Sequence, residues 1–250
     1  MPSLVTQNKQ PYGIPQGAPI SDILANIYLL DFDRSMFEYA ASRGGNYFRY
    51  SDDIFIAIPG DDETGRLAAA FATAEIQRSG DQIKIKESKT AIVSFTPTPS
   101  GTLDAKRIDN PTDRGGLDYL GFRFDGVNVY IRESTMSRLH RKIKFAARRR
   151  AIALVRRYSG KDFDFLWDKF HIQEFEAKFG RVAEFEKKLS HRSWTFRTYV
   201  KRCTQVFGDS GGVFFNQMRN HRRFITENAR TEILRAMAKR EEMESHPTVS

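Results

Sequence analysis

Cysteine and long apolar runs are both scarce in this chain. Cys203 is the single cysteine in 250 residues, which excludes an intrachain disulfide and a multi-cysteine zinc site and favours a reducing compartment. The first ten residues, MPSLVTQNKQ, lack the apolar segment of a signal peptide, and the other apolar stretches are too short to span a bilayer. Hydrophobic residues still make up 40% of the chain, so a sizeable core is expected. The sequence predicts a globular cytoplasmic protein.

Net positive charge is absent from the first half and concentrated in the second. Residues 1–131 carry 13 Lys and Arg against 17 Asp and Glu, a net charge of −4. The remaining residues carry 27 against 14, a net charge of +13, and give the whole chain its formal charge of +9. This imbalance favours a polyanionic partner such as nucleic acid.

The basic region opens with a pattern typical of an amphipathic helix. Apolar residues from Met136 to Leu154 recur at the spacing of one helical face, which places the basic side chains on the other faces. Ten basic residues and one acidic residue lie between Arg132 and Arg157. A solvated helix surface is the simpler interpretation, but a stripe of this density is also what a helix that follows phosphates requires.

Two adjacent carboxylates lie between strand-forming runs in YFRYSDDIFIAI, residues 47–58. Tyr47 to Tyr50 and Ile54 to Ile58 favour strands, and Ser51-Asp52 suits a tight turn, so a hairpin is predicted. Adjacent carboxylates repel unless a cation neutralises them, and carboxylate oxygens are the ligands that Mg²⁺ prefers. An exposed Asp-Asp turn without any metal is the competing interpretation.

A Gly/Pro loop, residues 13–21, runs directly into a predicted helix from Asp22 to Phe37, with Ser21 as its N-cap. Glycine allows the backbone to approach a ligand closely, and free amides at a helix start favour phosphate. Alone, this segment could be an ordinary loop.

Together these segments resemble the palm of reverse transcriptases. GIPQGAPISDILANIYL resembles the loop-helix motif that precedes the catalytic hairpin, and FRYSDD resembles the Tyr-x-Asp-Asp hairpin itself. KESKT, residues 86–90, resembles the following lysine motif, and LDYLGF, residues 117–122, resembles the primer-grip hairpin. The resemblance implies an α+β fold: a partial polymerase palm, with an antiparallel sheet and packed helices, over residues 1–131, and a basic α-helical thumb over residues 132–250.

The resemblance also implies roles for individual residues. Asp52 and Asp53 would hold Mg²⁺, with Asp52 the stronger candidate because successive strand residues point to opposite faces. The residues implied in nucleotide binding are Gln16, Gly17, Ser21 and Lys89. Those implied in binding primer and template are Tyr50, Leu120, Gly121, Arg141, Lys142, Arg148 and Arg149. Lys89 could equally be an exposed lysine near a strand end.

The family's palm uses a third carboxylate upstream of the loop-helix motif, and only 12 residues precede Gly13. Asp31 and Asp33 follow the loop and cannot replace it by sequence order. We therefore expect a fragment or subunit of an RNA-directed DNA polymerase that is completed by further polypeptide. Its partners would be an RNA template, a DNA or RNA–DNA duplex and dNTPs.

Several alternatives stay open from the sequence. The chain lacks the Val-Thr-Gly triplet that is usual in the thumb of retron reverse transcriptases. Among the bacterial groups of the family, it therefore resembles the defence-associated, or abortive-infection, group. An RNA-directed RNA polymerase also has an Asp-Asp hairpin. A non-catalytic nucleic-acid-binding module, or a scaffold subunit of a defence complex, would use the shape and charge of the chain without its chemistry.

Overall fold

The computed structural model describes residues 19–80, 82–113, 115–179 and 195–245. The chain divides into two compact units, Met1–Leu120 and Gly121–Ser250. Helices and small antiparallel sheets occur together, which confirms the predicted α+β class. Within the described ranges, no helix combines the length and the apolar composition needed to cross a membrane.

The described residues of the first unit form three helices and five short strands. The helices are α1 (Pro19–Tyr28), α2 (Leu30–Ala41) and α3 (Asp62–Arg78). The strands are β1 (Asn46–Tyr50), β2 (Asp53–Ala57), β3 (Val93–Pro97), β4 (Leu103–Arg107) and β5 (Leu117–Tyr119). Strands β1 and β2 form one antiparallel hairpin, and β3 and β4 form another. A 3₁₀ turn at Glu87–Lys89 precedes β3.

The core of the first unit lies between α2, α3 and one face of the β1–β2 hairpin. Phe32 and Met36 of α2 are buried against Ala72 and Ile76 of α3, and Tyr47 and two isoleucines of β2 pack against them. Alternate residues of each strand face this core, as the period of a strand requires. The other face of the hairpin carries Phe48 and Tyr50, which are exposed.

The single helix predicted from Asp22 to Phe37 is two helices. Leu29 leaves the helical conformation, with φ −99° and ψ 13°, and separates α1 from α2. Ser21 is the third residue of α1 and not its N-cap, so that prediction was wrong. Proline is tolerated in the first turn of a helix because the amide it lacks has no partner there, and α1 includes Pro19 ahead of Ser21.

The second unit is mainly helical. Strands β6 (Phe122–Phe124) and β7 (Val129–Ile131) form an antiparallel hairpin. The helices in the described part of this unit are α4 (Glu133–Arg157), α5 (Phe163–Phe170), α6 (Ile172–Phe179), α7 (Phe196–Phe207), α8 (Phe214–Gln217) and α9 (His221–Ser245). A 3₁₀ turn at Gly208–Gly211 lies between α7 and α8.

Helix α4 confirms the amphipathic pattern of the sequence. Its buried residues recur at every fourth position: Leu139, Ile143, Ala147, Ala151 and Val155. This apolar face shares one core with Leu166 and Phe170 of α5 and with Ile225 and Ile233 of α9. Most of the basic residues of α4 are consequently left on its outer faces.

A smaller core joins β7 to α7 and α8. Val129 and Ile131 are buried with Val200, Cys203 and Phe214. The side-chain amide of Gln217 accepts a hydrogen bond from the amide of Ile131 at 2.9 Å and donates one to its carbonyl, also at 2.9 Å. Cys203 is a buried free thiol, which agrees with a structural role.

Candidate active site

The predicted hairpin is confirmed, with the two carboxylates at its tip. Tyr50 pairs with Asp53 across a two-residue turn made of Ser51 and Asp52. Ser51 has a positive φ of 55°, a conformation that is uncommon outside glycine and costs energy. Asp52 and Asp53 are both exposed.

Strand alternation does not favour Asp52 over Asp53 in the structure. Strand β2 begins at Asp53, so Asp52 is a turn residue. The alternation of strand residues therefore does not determine the direction of the Asp52 side chain. Asp53 lies opposite Tyr50, on the face of the hairpin turned away from α2. The two carboxylates therefore share the tip of the hairpin, and neither is buried.

An ion pair that sequence reasoning missed anchors this hairpin to α2. The Arg49 guanidinium donates to both carboxylate oxygens of Asp33, from Nε at 2.7 Å and from Nη2 at 2.5 Å. The Tyr47 hydroxyl donates to the same carboxylate at 2.6 Å. The signal available in the sequence was an arginine within an otherwise aromatic strand, two residues after a tyrosine on the same face.

These contacts set the electrostatics of the anchor. Partial burial raises the pKa of Asp33, but the hydrogen bonds from Arg49 and Tyr47 outweigh it and hold that pKa below its ordinary value. Burial, and then the bond to Asp33, raises the pKa of Tyr47. Asp33 is thus an ionised acceptor occupied by two donors, which agrees with the view that it does not serve as the third metal ligand.

Strand β5 brings a tyrosine close to the hairpin. The ring of Tyr119 lies 5.1 Å from that of Phe55, centroid to centroid. Burial raises the pKa of Tyr119, and the negative charge of Asp53 raises it further. The residue that precedes the predicted primer-grip pair is therefore within electrostatic reach of the tip.

The predicted primer-grip pair forms a sharp turn. Leu120 and Gly121 follow β5 with positive φ values of 46° and 86°. Leu120 is the last residue of the first unit and is exposed, whereas Gly121 begins the second unit. A left-handed conformation at a leucine is a strained feature of the kind that recurs at functional turns.

The nucleotide-binding predictions differ in what the structure says about them. Gln16 and Gly17 lie outside the described residues. Ser21 is half-buried within α1. Lys89 is exposed in the 3₁₀ turn before β3, which fits both of the interpretations given for it.

The four predicted basic residues of α4 are all exposed: Arg141, Lys142, Arg148 and Arg149. Phe145 lies among them on the same face, with 63% of its surface exposed, and the Arg149 guanidinium lies 5.8 Å from its ring centroid. An exposed aromatic ring between basic side chains is a candidate for stacking on a base. Sequence reasoning did not single out Phe145, although its position, two residues from both Ile143 and Ala147, predicts that it lies off the apolar face of the helix.

The donor chemistry at the tip suits a hard divalent ion, because both groups are carboxylates on adjacent residues. Among the described residues, no three His, Cys, Asp or Glu side chains cluster closely enough to hold a metal ion. Asp52 and Asp53 therefore fit as part of a metal site, and the described residues provide no complete one.

Comparison with known proteins supports the resemblance over the first half of the chain. Residues 4–124 match the family described as reverse transcriptase (RNA-dependent DNA polymerase). This family generally uses divalent metal ions and binds nucleic-acid templates and nucleotides. No curated protein matches the chain significantly. The matched range contains the whole hairpin, its anchor on α2 and the Leu120-Gly121 turn.

Proposed function

We propose that this chain is the palm and thumb portion of a Mg²⁺-dependent RNA-directed DNA polymerase, with the palm in residues 1–131 and the thumb in residues 132–250. The observation that carries the proposal is the two-residue turn that presents Asp52 and Asp53 at the tip of an anchored hairpin, inside the range that matches the family. The reaction is nucleotidyl transfer to a primer 3′-hydroxyl.

Asp52 and Asp53 are the catalytic residues and hold Mg²⁺ in this proposal. Bound there, Mg²⁺ lowers the pKa of the attacking hydroxyl and neutralises charge on the phosphate. Gln16, Gly17, Ser21 and Lys89 contribute to nucleotide binding. Tyr50 is 67% exposed beside the carboxylates. We propose that it contacts the end of the primer together with Leu120 and Gly121.

The thumb is proposed to grip the primer–template duplex through α4. Exposed basic side chains on the outer faces of α4 can neutralise backbone phosphates, and such contacts depend little on base sequence. The acidic first unit and the basic second unit divide these tasks, since the metal ions require carboxylates and the duplex requires cations.

The proposed partner is a polypeptide that supplies the third palm carboxylate. Helix α1 supports this, because one stripe of large apolar residues along it and at the start of α2 is between 40% and 59% exposed: Ile20, Ile23, Leu24, Ile27 and Leu30. Asn26 on α1 accepts a hydrogen bond from Arg49 at 3.0 Å. A chain seated on this stripe would consequently lie beside the hairpin that carries Asp52 and Asp53.

Replacement of Ile23 and Ile27 together by serine tests this partner surface. Both side chains are already exposed, so the stability of the isolated chain should change by no more than about 0.5 kcal/mol. Association with the completing polypeptide should weaken strongly, as measured by gel filtration of the co-expressed proteins. Undiminished association would show that the stripe is not the contact.

Primer extension by the completed polymerase tests the activity. With a labelled primer, an RNA template and Mg²⁺, dNTPs should be incorporated, whereas NTPs supplied separately should not. Asp52→Asn should abolish incorporation and leave duplex binding intact, because the carboxylate holds metal and not the duplex. Asp31→Asn, at an exposed carboxylate of α2, is the matched control and should retain incorporation.

The outcomes separate the proposal from its rivals. Incorporation of NTPs in preference to dNTPs would identify an RNA polymerase. Salt-sensitive duplex binding without any Mg²⁺-dependent extension would identify a non-catalytic binding module or scaffold. A role in bacterial antiphage defence is proposed by analogy with the defence-associated group. It predicts that the intact locus lowers phage yield and that Asp52→Asn removes the effect.

A further inference from the structure

We propose that Arg49 is a positioning residue for the Asp52-Asp53 tip, and that its ion pair with Asp33 orients the Arg49 guanidinium toward the turn. The inference rests on the proposed polymerase function for its catalytic consequence. Its structural part, the ordering of the turn by Arg49, stands on the geometry of the hairpin alone.

The Arg49 guanidinium makes four hydrogen bonds with three nitrogen atoms. Two go to the Asp33 carboxylate, and Nη1 donates to Asn26 Oδ1 at 3.0 Å and to the backbone carbonyl of Ser51 at 2.8 Å. A bidentate bond to a carboxylate fixes the plane of a guanidinium. Since Asp33 fixes that plane, the remaining nitrogen has a defined direction, which is toward the turn.

The conformation of the turn is unfavourable by itself and requires a stabilising contact. Ser51 occupies a left-handed conformation at φ 55°, and the next two residues are adjacent carboxylates that repel each other. Residues 51–53 are all exposed, so core packing does not fix them. The contact from Arg49 to the Ser51 carbonyl ties this exposed turn to a side chain that is only 7% exposed.

Comparison with Tyr47 distinguishes the anchoring of the hairpin from the positioning of its turn. Its hydroxyl donates to the same Asp33 carboxylate, and its ring packs edge-on against Phe32, so it attaches the hairpin to α2. The hydrogen bond to the Ser51 carbonyl, in contrast, comes from Arg49. A residue with a purely structural role would behave like Tyr47, whereas a positioning residue would also control the turn.

Hydrogen exchange on the 250-residue chain tests the structural part without any assay of activity. Arg49→Gln should raise amide exchange at Tyr50 and Asp53, the pair that closes the turn, by about tenfold or more, because the variant no longer makes a charged hydrogen bond to the turn. Tyr47→Phe, which removes an anchoring bond only, should change exchange there by less than about threefold. Equal effects of the two variants, or no change in Arg49→Gln, would overturn the inference.

Primer extension by the completed polymerase tests the catalytic part. Arg49→Gln should lower kcat by about 10–100-fold, the usual effect of removing a group that orients a metal ligand, and raise the Mg²⁺ concentration for half-maximal rate. The KM for dNTP should be little changed. Tyr47→Phe should keep kcat within about threefold of wild type.

A charge-swapped variant, Asp33→Arg with Arg49→Asp, distinguishes the ion pair from the turn contact. It can restore the ion pair, although the Tyr47 hydroxyl loses its carboxylate acceptor, and an aspartate at position 49 cannot donate to the Ser51 carbonyl. We expect its thermal stability to exceed that of Arg49→Gln while kcat stays low. Recovery of kcat together with stability would overturn the inference.

The two proposals fail in different ways. If the wild-type polymerase does not extend a primer, the proposed function fails, and the exchange experiment still decides whether Arg49 orders the turn. If wild type extends a primer and Arg49→Gln does so equally well, the positioning role fails while the polymerase stands.

Discussion

Arg49 and Arg148 are both arginines on regular secondary structure, and they occur in opposite surroundings. Arg49, in the acidic first unit, is 7% exposed and bonded to Asp33, Asn26 and the Ser51 carbonyl. Arg148, in the basic second unit, is exposed on the outer face of a helix whose other face is apolar. A largely buried guanidinium that is bonded through all three of its nitrogens fixes a position, whereas an exposed one provides charge over a range of positions. The proposed metal-binding tip requires the first, and the proposed duplex-binding face requires the second.

We expect apolar packing to stabilise the second unit, and this is the largest expected difference from the polar contacts around Arg49. Ile233 of α9 is 0% exposed, and its neighbour Leu234 is 53% exposed. Ile233→Ala should lower the free energy of unfolding by about 2–5 kcal/mol because it leaves a cavity in the core. Leu234→Ala, the matched control, should change it by no more than about 0.5 kcal/mol. Urea denaturation measures both, and equal effects would contradict the packing of α9.

In the first unit, the comparison predicts a polar contribution that depends on pH. Asp33→Asn should lower stability at pH 7 by about 1–3 kcal/mol, the range for a hydrogen bond to a charged group. The pKa of Asp33 is below its ordinary value of 3.8, so its contribution is complete above that pH and is lost as the pH falls through the lower, folded-state pKa.

The difference between wild type and Asp33→Asn should therefore be constant from neutral pH to about pH 5 and shrink as the pH falls below 3.8. Denaturant titrations across this pH range provide the measurement. Asp31→Asn, on the exposed side of the same helix, should cost no more than about 0.5 kcal/mol at pH 7. A difference that grew with acid would contradict the ion pair.

The smallest effect on stability is expected where the charges are exposed. Arg148→Gln with Arg149→Gln should change the free energy of unfolding by no more than about 0.5 kcal/mol. Duplex binding should weaken, and the slope of log affinity against log salt should fall by about one for each phosphate that the variant no longer neutralises. Arg66→Gln, at an exposed arginine of α3, is the control for the loss of a positive charge. An unchanged salt slope in the double variant would remove α4 from the duplex-binding surface.

The sequence predicted the parts of this molecule that are set by local pattern. The hairpin predicted over residues 47–58, its turn and the buried face of α4 follow from strand propensity, turn chemistry and helical spacing. The structure confirms them, with the hairpin at residues 46–57. The break at Leu29 and the position of Ser21 were not predicted, because helical periodicity continues through both positions. The exposure of the apolar stripe of α1 was not predicted either, since a sequence pattern shows that a helical face is apolar and not what covers it.

The Arg49–Asp33 ion pair was not predicted from the sequence, for a different reason. Its partners are 16 residues apart and on different elements, so no local period joins them. Only the packing of β1 on α2 brings them together. The same holds for Tyr119 and Asp53, whose proximity depends on where β5 lies in the first unit.

The Gln217 side chain covers part of a strand edge. Strand β7 pairs with β6 on one side, and on its other side the backbone N–H and C=O of Ile131 are both taken by the Gln217 amide. One side chain thus imitates the neighbouring residue of a strand. An open strand edge is a template for intermolecular sheet growth, and a side chain that occupies its donor and acceptor closes that template at this residue.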